Sequence, residues 1–217
     1  MINTLIFDLD LTLIDSLAAC VQGANLLARR FGLPEVTAAQ ALKAISLPTE
    51  DFWRTLWGQS QKEWMDCFTR EIIPSLTQEV TIYPGVEEFL VAARERGYLL
   101  AVGTNRANPW FDLAVLGLAK YFDTAVGVTD VPRPKPDPDI LLTALKQLGN
   151  GCDEAVYIGD SLVDIEAARA AGIKGLGLYQ GGVSSEELLK AGAWMTRPNL
   201  TACRDLFNLL GRGFDSD

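Results

Sequence analysis

Histidine is absent from all 217 residues. This removes the commonest general base and the commonest metal ligand, so acid–base or metal chemistry must run on carboxylates, hydroxyls and lysine. Cysteine is scarce: Cys20, Cys67, Cys152 and Cys203 lie far apart and form no C-x-x-C pair. They read as apolar fillers in a reducing compartment, with neither a disulfide framework nor a metal site expected of them. No uncharged run approaches the ~18 residues of a membrane span. The first residues lack a basic segment, and Asp8 and Asp10 interrupt their apolar stretch, so no signal peptide is expected. Positive charge is in deficit, with 19 Lys+Arg against 28 Asp+Glu and a formal net charge of −9. That balance argues against nucleic-acid and anionic-membrane partners. Internal repeats and low-complexity linkers are missing too. The expectation is a cytoplasmic chain, a monomer or small homo-oligomer, whose partner is a small molecule.

What the chain does contain is apolar surface: 48% of its residues are hydrophobic and 22% charged, enough for a packed core. Its length exceeds a typical single domain and suggests one large domain or a core with an insert. Leu5-Ile6-Phe7 reads as a strand buried on both faces, and it runs directly into Asp8-x-Asp10-x-Thr12. In an open parallel sheet, ligands bind beyond the C-terminal strand ends. An Asx-type turn would use the same residues for a purely structural end, so the motif alone leaves both readings open.

From Leu17 the periodicity is helical. Leu17, Val21, Ala24, Ala28 and Phe31 recur at steps of three and four, with Gly32 as a stop. Further helices are expected from Thr37 through Ile45, from Thr49 to Trp57, and around Trp64 to Ile72 before Pro74. Residues 16–80 therefore read as an all-helical insert. Trp53, Trp57 and Trp64 fit its internal core better than an aromatic substrate box. After Tyr83 short apolar strands alternate with helices. Helix is expected at Pro84–Arg96, strand at Tyr98–Gly103, helix at Pro109–Lys120 and strand at Thr124–Val128. Helix then follows at Asp139–Gln147, strand at Ala155–Gly159, helix at Val163–Ala171 and strand at Ile173–Leu178. A helix at Ser184–Ala191, a short strand at Trp194–Met195 and a closing helix at Leu200–Leu210 complete the chain, with 213–217 loose. The alternation is that of an α/β fold with a parallel sheet.

Three more loops carry polar groups. Thr104-Asn105-Arg106 follows a buried strand and suits either a phosphate cradle or an ordinary turn. Lys135 sits between Pro134 and Pro136, which stiffen its backbone and favour pairing with an anion. Val156-Tyr157-Ile158-Gly159-Asp160 ends in a carboxylate with Asp164 one helical turn on, although Asp160 alone could be an N-cap. Together these make one constellation. Four converging carboxylates would repel one another strongly, and a hard divalent cation such as Mg²⁺ relieves that.

The order Asp8-x-Asp10-x-Thr12, Thr104-Asn105, Lys135 and Gly159-Asp160-x-x-x-Asp164 resembles the haloacid dehalogenase superfamily. The helical insert after the first motif is similar to the C1-capped subgroup. Phe7-Asp8-Leu9-Asp10, Tyr83-Pro84-Gly85-Val86 and Lys135-Pro136 resemble phosphoglycolate phosphatase-like hydrolases. The resemblance implies a three-layer Rossmann-like parallel-sheet core formed by residues 1–15 and 81–217, with residues 16–80 as a helical cap. It implies a Mg²⁺-dependent phosphatase acting on a small phosphomonoester. Asp8 would be the nucleophile, forming an aspartyl-phosphate, and Asp10 the acid and base. Mg²⁺ would be held by Asp8, the backbone carbonyl of Asp10 and Asp160. Thr12 would support that shell, and Asp164 would orient waters or Lys135. Thr104, the Asn105 backbone and Lys135 would bind the phosphoryl oxygens.

The same resemblance narrows the relatives. Dehalogenases lack an acid/base residue at Asp10, and phosphonoacetaldehyde hydrolases replace it and use a cap lysine. A β-phosphoglucomutase-like mutase shares every catalytic position, but Thr104-Asn105-Arg106 is closer to the phosphatase form. A non-catalytic phosphate-binding module predicts a lost nucleophile or acid, and both are present. Among the basic residues of the insert, Lys43, beside Ala44-Ile45-Ser46-Leu47-Pro48 between two helices, is the expected specificity contact. One departure stands out: the position after Asp10 is commonly glycine, and here it is Leu11. A side chain there bears on the flap geometry and leaves the nucleophile intact.

Overall fold

The structure, a computed structural model, describes residues 1–76 and 79–211. The chain opens with β1 (Thr4–Phe7) and β2 (Ile14–Asp15), then runs through α1 (Leu17–Phe31), α2 (Ala38–Leu42), α3 (Thr49–Trp57) and α4 (Lys62–Cys67). It returns through β3 (Thr81–Ile82) to α5 (Val86–Glu95), β4 (Leu99–Gly103), α6 (Pro109–Val115), β5 (Thr124–Val126) and α7 (Asp139–Leu148). The last part is β6 (Ala155–Gly159), α8 (Leu162–Ala171), β7 (Lys174–Leu178), α9 (Ser185–Ala191), β8 (Met195–Arg197) and α10 (Leu206–Leu209).

Six strands form one sheet in the order β5–β4–β1–β6–β7–β8, every adjacent pair parallel. Side chains alternate across a strand, so one run of apolar residues feeds two cores. Leu5 and Phe7 pack with Leu100, Val102, Ile158 and α5 on one face. Ile6 packs with Ala101, Tyr157, α7 and α8 on the other. The result is a helix–sheet–helix α/β fold of the Rossmann-like kind. Chain order steps outward from β1 through β4 to β5 and then crosses to β6 on the opposite side. That reversal beside β1 is the switch point at which open α/β sheets bind ligands.

The helices between α1 and Leu76 form their own apolar cluster around Trp53 and Trp64. Trp53 stacks on Trp57 with ring centroids 5.1 Å apart and an interplanar angle of 8°. Trp57 meets Trp64 edge-on at 5.6 Å, so the three tryptophans are core, as their helical spacing suggested. The chain leaves and re-enters the sheet region through the antiparallel ribbon of β2 with β3, a pairing that was not anticipated.

Several element ends differ from expectation for local reasons. The helix after Pro84 starts at Val86 because Gly85 has a φ of 82°. α6 stops at Val115 and a separate 3₁₀ turn, Ala119–Tyr121, contains Lys120. β5 ends at Val126, where the Gly127 N–H turns to donate to Asp130 Oδ2 at 2.8 Å. The fourth helix loosens into a π-helical stretch, Phe68–Ile72, ahead of Pro74. The closing helix divides into a 3₁₀ turn, Leu200–Cys203, whose start Asn199 caps through the Ala202 N–H, and α10. The tail 213–217 lies outside the described residues. All four cysteines are free thiols. No helix among the described residues is long and apolar enough to cross a membrane.

Candidate active site

The parallel ladder continues one residue beyond the central strands. The Asp8 N–H donates to Ile158 O at 2.8 Å, and the Thr104 N–H to Val126 O at 3.1 Å. Asp8 and Thr104 therefore leave the sheet in register, and Asp160 follows β6 on the other side of β1. Lys135 arrives from the loop before α7. Its backbone is fixed from both sides by the Asn105 amide, which accepts from Lys135 N–H at 3.0 Å and donates to Lys135 O at 3.1 Å. The same amide donates to Ser46 O at 2.9 Å, tying the helical segment to the site.

Lys135 is 1% exposed, a burial that lysine tolerates only when paired. Its ammonium has three protons and three partners: Asp8 Oδ1 at 2.8 Å, Asp164 Oδ1 at 2.7 Å and the Tyr157 hydroxyl at 2.8 Å. Tyr157 is held in turn within 2.9 Å of Gly103 O. The second oxygen of Asp164 accepts from the Asp160 and Ser161 N–H groups at 3.2 and 3.0 Å and from Ser161 Oγ at 2.6 Å. Asp164 thus has both oxygens hydrogen-bonded, one to Lys135 and Tyr157 and the other to the start of α8. Gly159 makes this approach possible, since a Cβ there would lie 2.5 Å from Asp164 Cγ.

Asp8, Asp160 and Asp164 each offer an oxygen within 4.8 Å of one another. With all three ionised and Lys135 charged, the cluster keeps a formal charge of about −2, the amount a divalent cation neutralises. Asp160 is the least compensated: among the described residues its carboxylate receives only the Thr12 hydroxyl, at 3.3 Å. The donor set is all oxygen, hard and anionic, and fits Mg²⁺.

Asp10 has a separate environment. Arg106 grips it as a fork, Nε to Oδ2 at 2.8 Å and Nη2 to Oδ1 at 2.8 Å, while Ser16 Oγ donates to Oδ1. Asp112 holds the guanidinium from behind at 3.1 Å.

These surroundings separate the protonation behaviour of the carboxylates. Burial, reinforced by Asp164 and Asp10 and opposed by Lys135, pushes Asp8 up to about 7. Burial together with Asp164 and Asp8 raises Asp160 well above the carboxylate range. For Asp10 burial acts in the same direction, but the Arg106 charge and fork outweigh it and hold the group low. Asp164 is also held low, burial being overcome by Lys135. Desolvation pulls the Lys135 ammonium down, and Asp164 and Asp8 more than reverse this. A cation beside Asp8 and Asp160 would favour their ionised forms.

Of the residues singled out from sequence, Asp8, Lys135, Asp160, Asp164 and Thr12 meet in one buried cluster. Asp10 and Thr104 are buried in the neighbouring loops, and Asn105 acts on Lys135 through its side chain. Lys43 is exposed, its backbone N–H donates to Gln40 O at 3.3 Å, and its side chain makes no hydrogen bond or ion pair among the described residues. The neighbouring Ser46 and Leu42 do reach the site region, through Asn105 and Gly182. The sequence alone does not assign a role to Arg106, Ser16, Tyr157 or Gln180. Tyr157 carried a signal, as a lone hydroxyl in an apolar strand. Arg106 adjoined a motif, while Ser16 and Gln180 carried no signal.

Carboxylates and a buried lysine gathered at the C-terminal edge of a parallel sheet define a class of α/β enzymes that work at their strand ends. The chain belongs to the haloacid dehalogenase-like hydrolase family, which it matches over residues 5–178. It is 33% identical over 183 residues to a phosphoglycolate phosphatase of Nitrosospira multiformis, covering 79% of this chain and 80% of that protein. A haloacid dehalogenase-like family hydrolase of Streptococcus pneumoniae superposes with a TM-score of 0.84 at 22% identity, covering 95% and 98% of the two chains. A β-phosphoglucomutase of Clostridium difficile shares the fold with a TM-score of 0.83 at 20% identity, covering 96% of each.

Proposed function

We propose that this chain is a Mg²⁺-dependent phosphatase that hydrolyses a small phosphomonoester through an aspartyl-phosphate on Asp8, in the manner of the phosphoglycolate phosphatases it is similar to. The observation that carries the reading is the Asp8 carboxylate at the end of the central strand, 2.8 Å from a fully buried lysine and clustered with Asp160. In this reading Asp8 Oδ attacks phosphorus and the ester P–O bond breaks. The leaving oxygen takes a proton from Asp10. Water then attacks the aspartyl-phosphate, gives its proton to Asp10, and releases phosphate and free Asp8. The Arg106 fork favours the ionised Asp10 that accepts this second proton, and the acid half-reaction requires the fork to open. Lys135 and Thr104 bind phosphoryl oxygens. Mg²⁺, when bound by Asp8, Asp160 and the Asp10 carbonyl, supplies charge neutralisation between nucleophile and phosphate.

Residues 16–80 act as a cap that closes over the site and excludes water, with Lys43 as its specificity contact, and residues 1–15 and 81–217 as the catalytic core. The compartment is the cytoplasm.

A phosphate-ester panel read with Mg²⁺ and with EDTA tests the proposal. Mg²⁺-dependent release of free phosphate, lost in Asp8→Asn, is the expected result. Isomerised sugar phosphate without release would indicate a mutase instead, and no turnover of any ester a binding module. An Asp8→Asn variant with full activity overturns the mechanism.

A further inference from the structure

Leu11 is the one described non-glycine residue with a positive φ, 54°. A side chain in this left-handed region is strained by contact between Cβ and the backbone. The loop requires the bend. The Leu11 N–H donates to Ile14 O at 2.8 Å, and the N–H groups of Leu13 and Ile14 both return to Leu9 O, at 3.0 and 3.2 Å. This turn carries Asp10 and Thr12 on either side of Leu11 and follows Asp8 directly. Strain at such a place persists only when surroundings over-determine it.

The over-determining contact comes from the far end of the chain. Gln180, in the turn after β7, donates from Nε2 to Leu11 O at 2.9 Å and to Thr12 O at 3.1 Å. One primary amide has two protons, and both go to successive carbonyls of the strained turn. The turn bearing Gln180 is itself wedged at the site. A Cβ on Gly181 would lie 1.9 Å from Asp160 Oδ2, so only glycine lets the backbone pass beneath that carboxylate. Asp160 in turn accepts from the Thr12 hydroxyl. A Cβ on Gly182 would lie 2.7 Å from Leu42 of α2, so the next residue abuts the helical segment.

We propose that Gln180 is a positioning residue that clamps Leu11 in its left-handed conformation and thereby sets where the Asp10–Thr12 turn presents its groups. Its amide supplies by hydrogen bonding what a glycine at position 11 would supply by freedom of φ. The effect on turnover rests on the phosphatase reading above; the clamp does not.

The test is a double-mutant cycle of Leu11→Gly and Gln180→Met, read by thermal unfolding and by kcat and KM on p-nitrophenyl phosphate with Mg²⁺. Methionine keeps the length of glutamine and removes both donors. Gln180→Met is expected to lower Tm and to reduce kcat about tenfold with KM within about twofold, since a small displacement of reacting groups acts on the chemical step. Leu11→Gly releases the strain, so adding Gln180→Met to it should change Tm and kcat by less than half as much. Gln180→Glu, isosteric with its carboxylate facing two carbonyls, should behave at least as badly as Gln180→Met. A residue with a merely structural role would leave the two substitutions additive. Additive changes in Tm overturn the clamp, whatever the enzyme does. Coupled Tm values with unchanged kcat overturn the positioning role. If the wild type releases no phosphate from any ester, the phosphatase reading fails, and the Tm cycle alone still decides the clamp.

Discussion

Replacing Lys135 by methionine keeps most of the volume and deletes one charge, and its consequence can be worked from the contacts. The ammonium is fully buried and gives one proton each to Asp8, Asp164 and Tyr157. Its loss strands two buried carboxylates, of which Asp164 is the one held ionised by the lysine. Breaking a buried ion pair by removing one partner costs about 3–5 kcal/mol. For a chain of this size with a urea m-value of ~2–3 kcal/mol/M, the midpoint of unfolding should fall by about 1–2.5 M. Folding stabilities of ~5–15 kcal/mol exceed that loss over most of their range, so a folded variant is expected and its folding is checked by the same unfolding curve. In the proposed mechanism Lys135 also meets charge developing on the phosphoryl group, so kcat should fall by ~10²–10³. The assay is urea unfolding by tryptophan fluorescence, paired with phosphate release. Lys135→Met/Asp164→Asn separates charge from packing: removing the stranded carboxylate should recover part of the midpoint. A midpoint within ~0.3 M of wild type would refute the reasoning, because no buried charge imbalance of this kind would then exist.

Two further outcomes follow from the same electrostatics. Without divalent cations, stability should fall as pH rises from 5 to 8. Asp8 and Asp160 have folded pKa values above their unfolded ones, so the folded state binds more protons across that window and loses its advantage as pH climbs through about 7. Mg²⁺ should therefore raise Tm more at pH 8 than at pH 5, and a Tm gain equal at both values contradicts this account. Arg106→Leu removes the group that holds Asp10 low, so the acid limb of the kcat–pH profile should move to higher pH. An unmoved limb would mean that the Arg106 fork does not govern Asp10.

Thr104-Asn105, placed just after a strand, suits a cradle or an ordinary turn, and Thr104 leaves the sheet in register with β5. The Asn105 side chain goes to Lys135 and Ser46, 30 and 59 residues away. A turn motif identifies which polar groups are available and not which partners they find. Leu11 could be recognised as unusual beside two aspartates, yet nothing local told that Gln180, 169 residues on, would hold its carbonyl.

Apolar periodicity and carboxylates placed just after apolar runs are local properties. They determined the parallel α/β core, the helical segment between residues 16 and 80, and the short register of residues gathered at the strand ends. These properties are set within a few residues by side-chain alternation and helical spacing, so they are legible without coordinates. The tertiary structure alone decided which charges meet. It gave Lys135 to Asp8 and Asp164, Arg106 to Asp10, and Gln180 to the strained turn. Each of these is a choice among distant partners made by sheet order and loop packing. The interaction depends on separation in space, which residues 29 to 169 positions apart along the chain do not reveal.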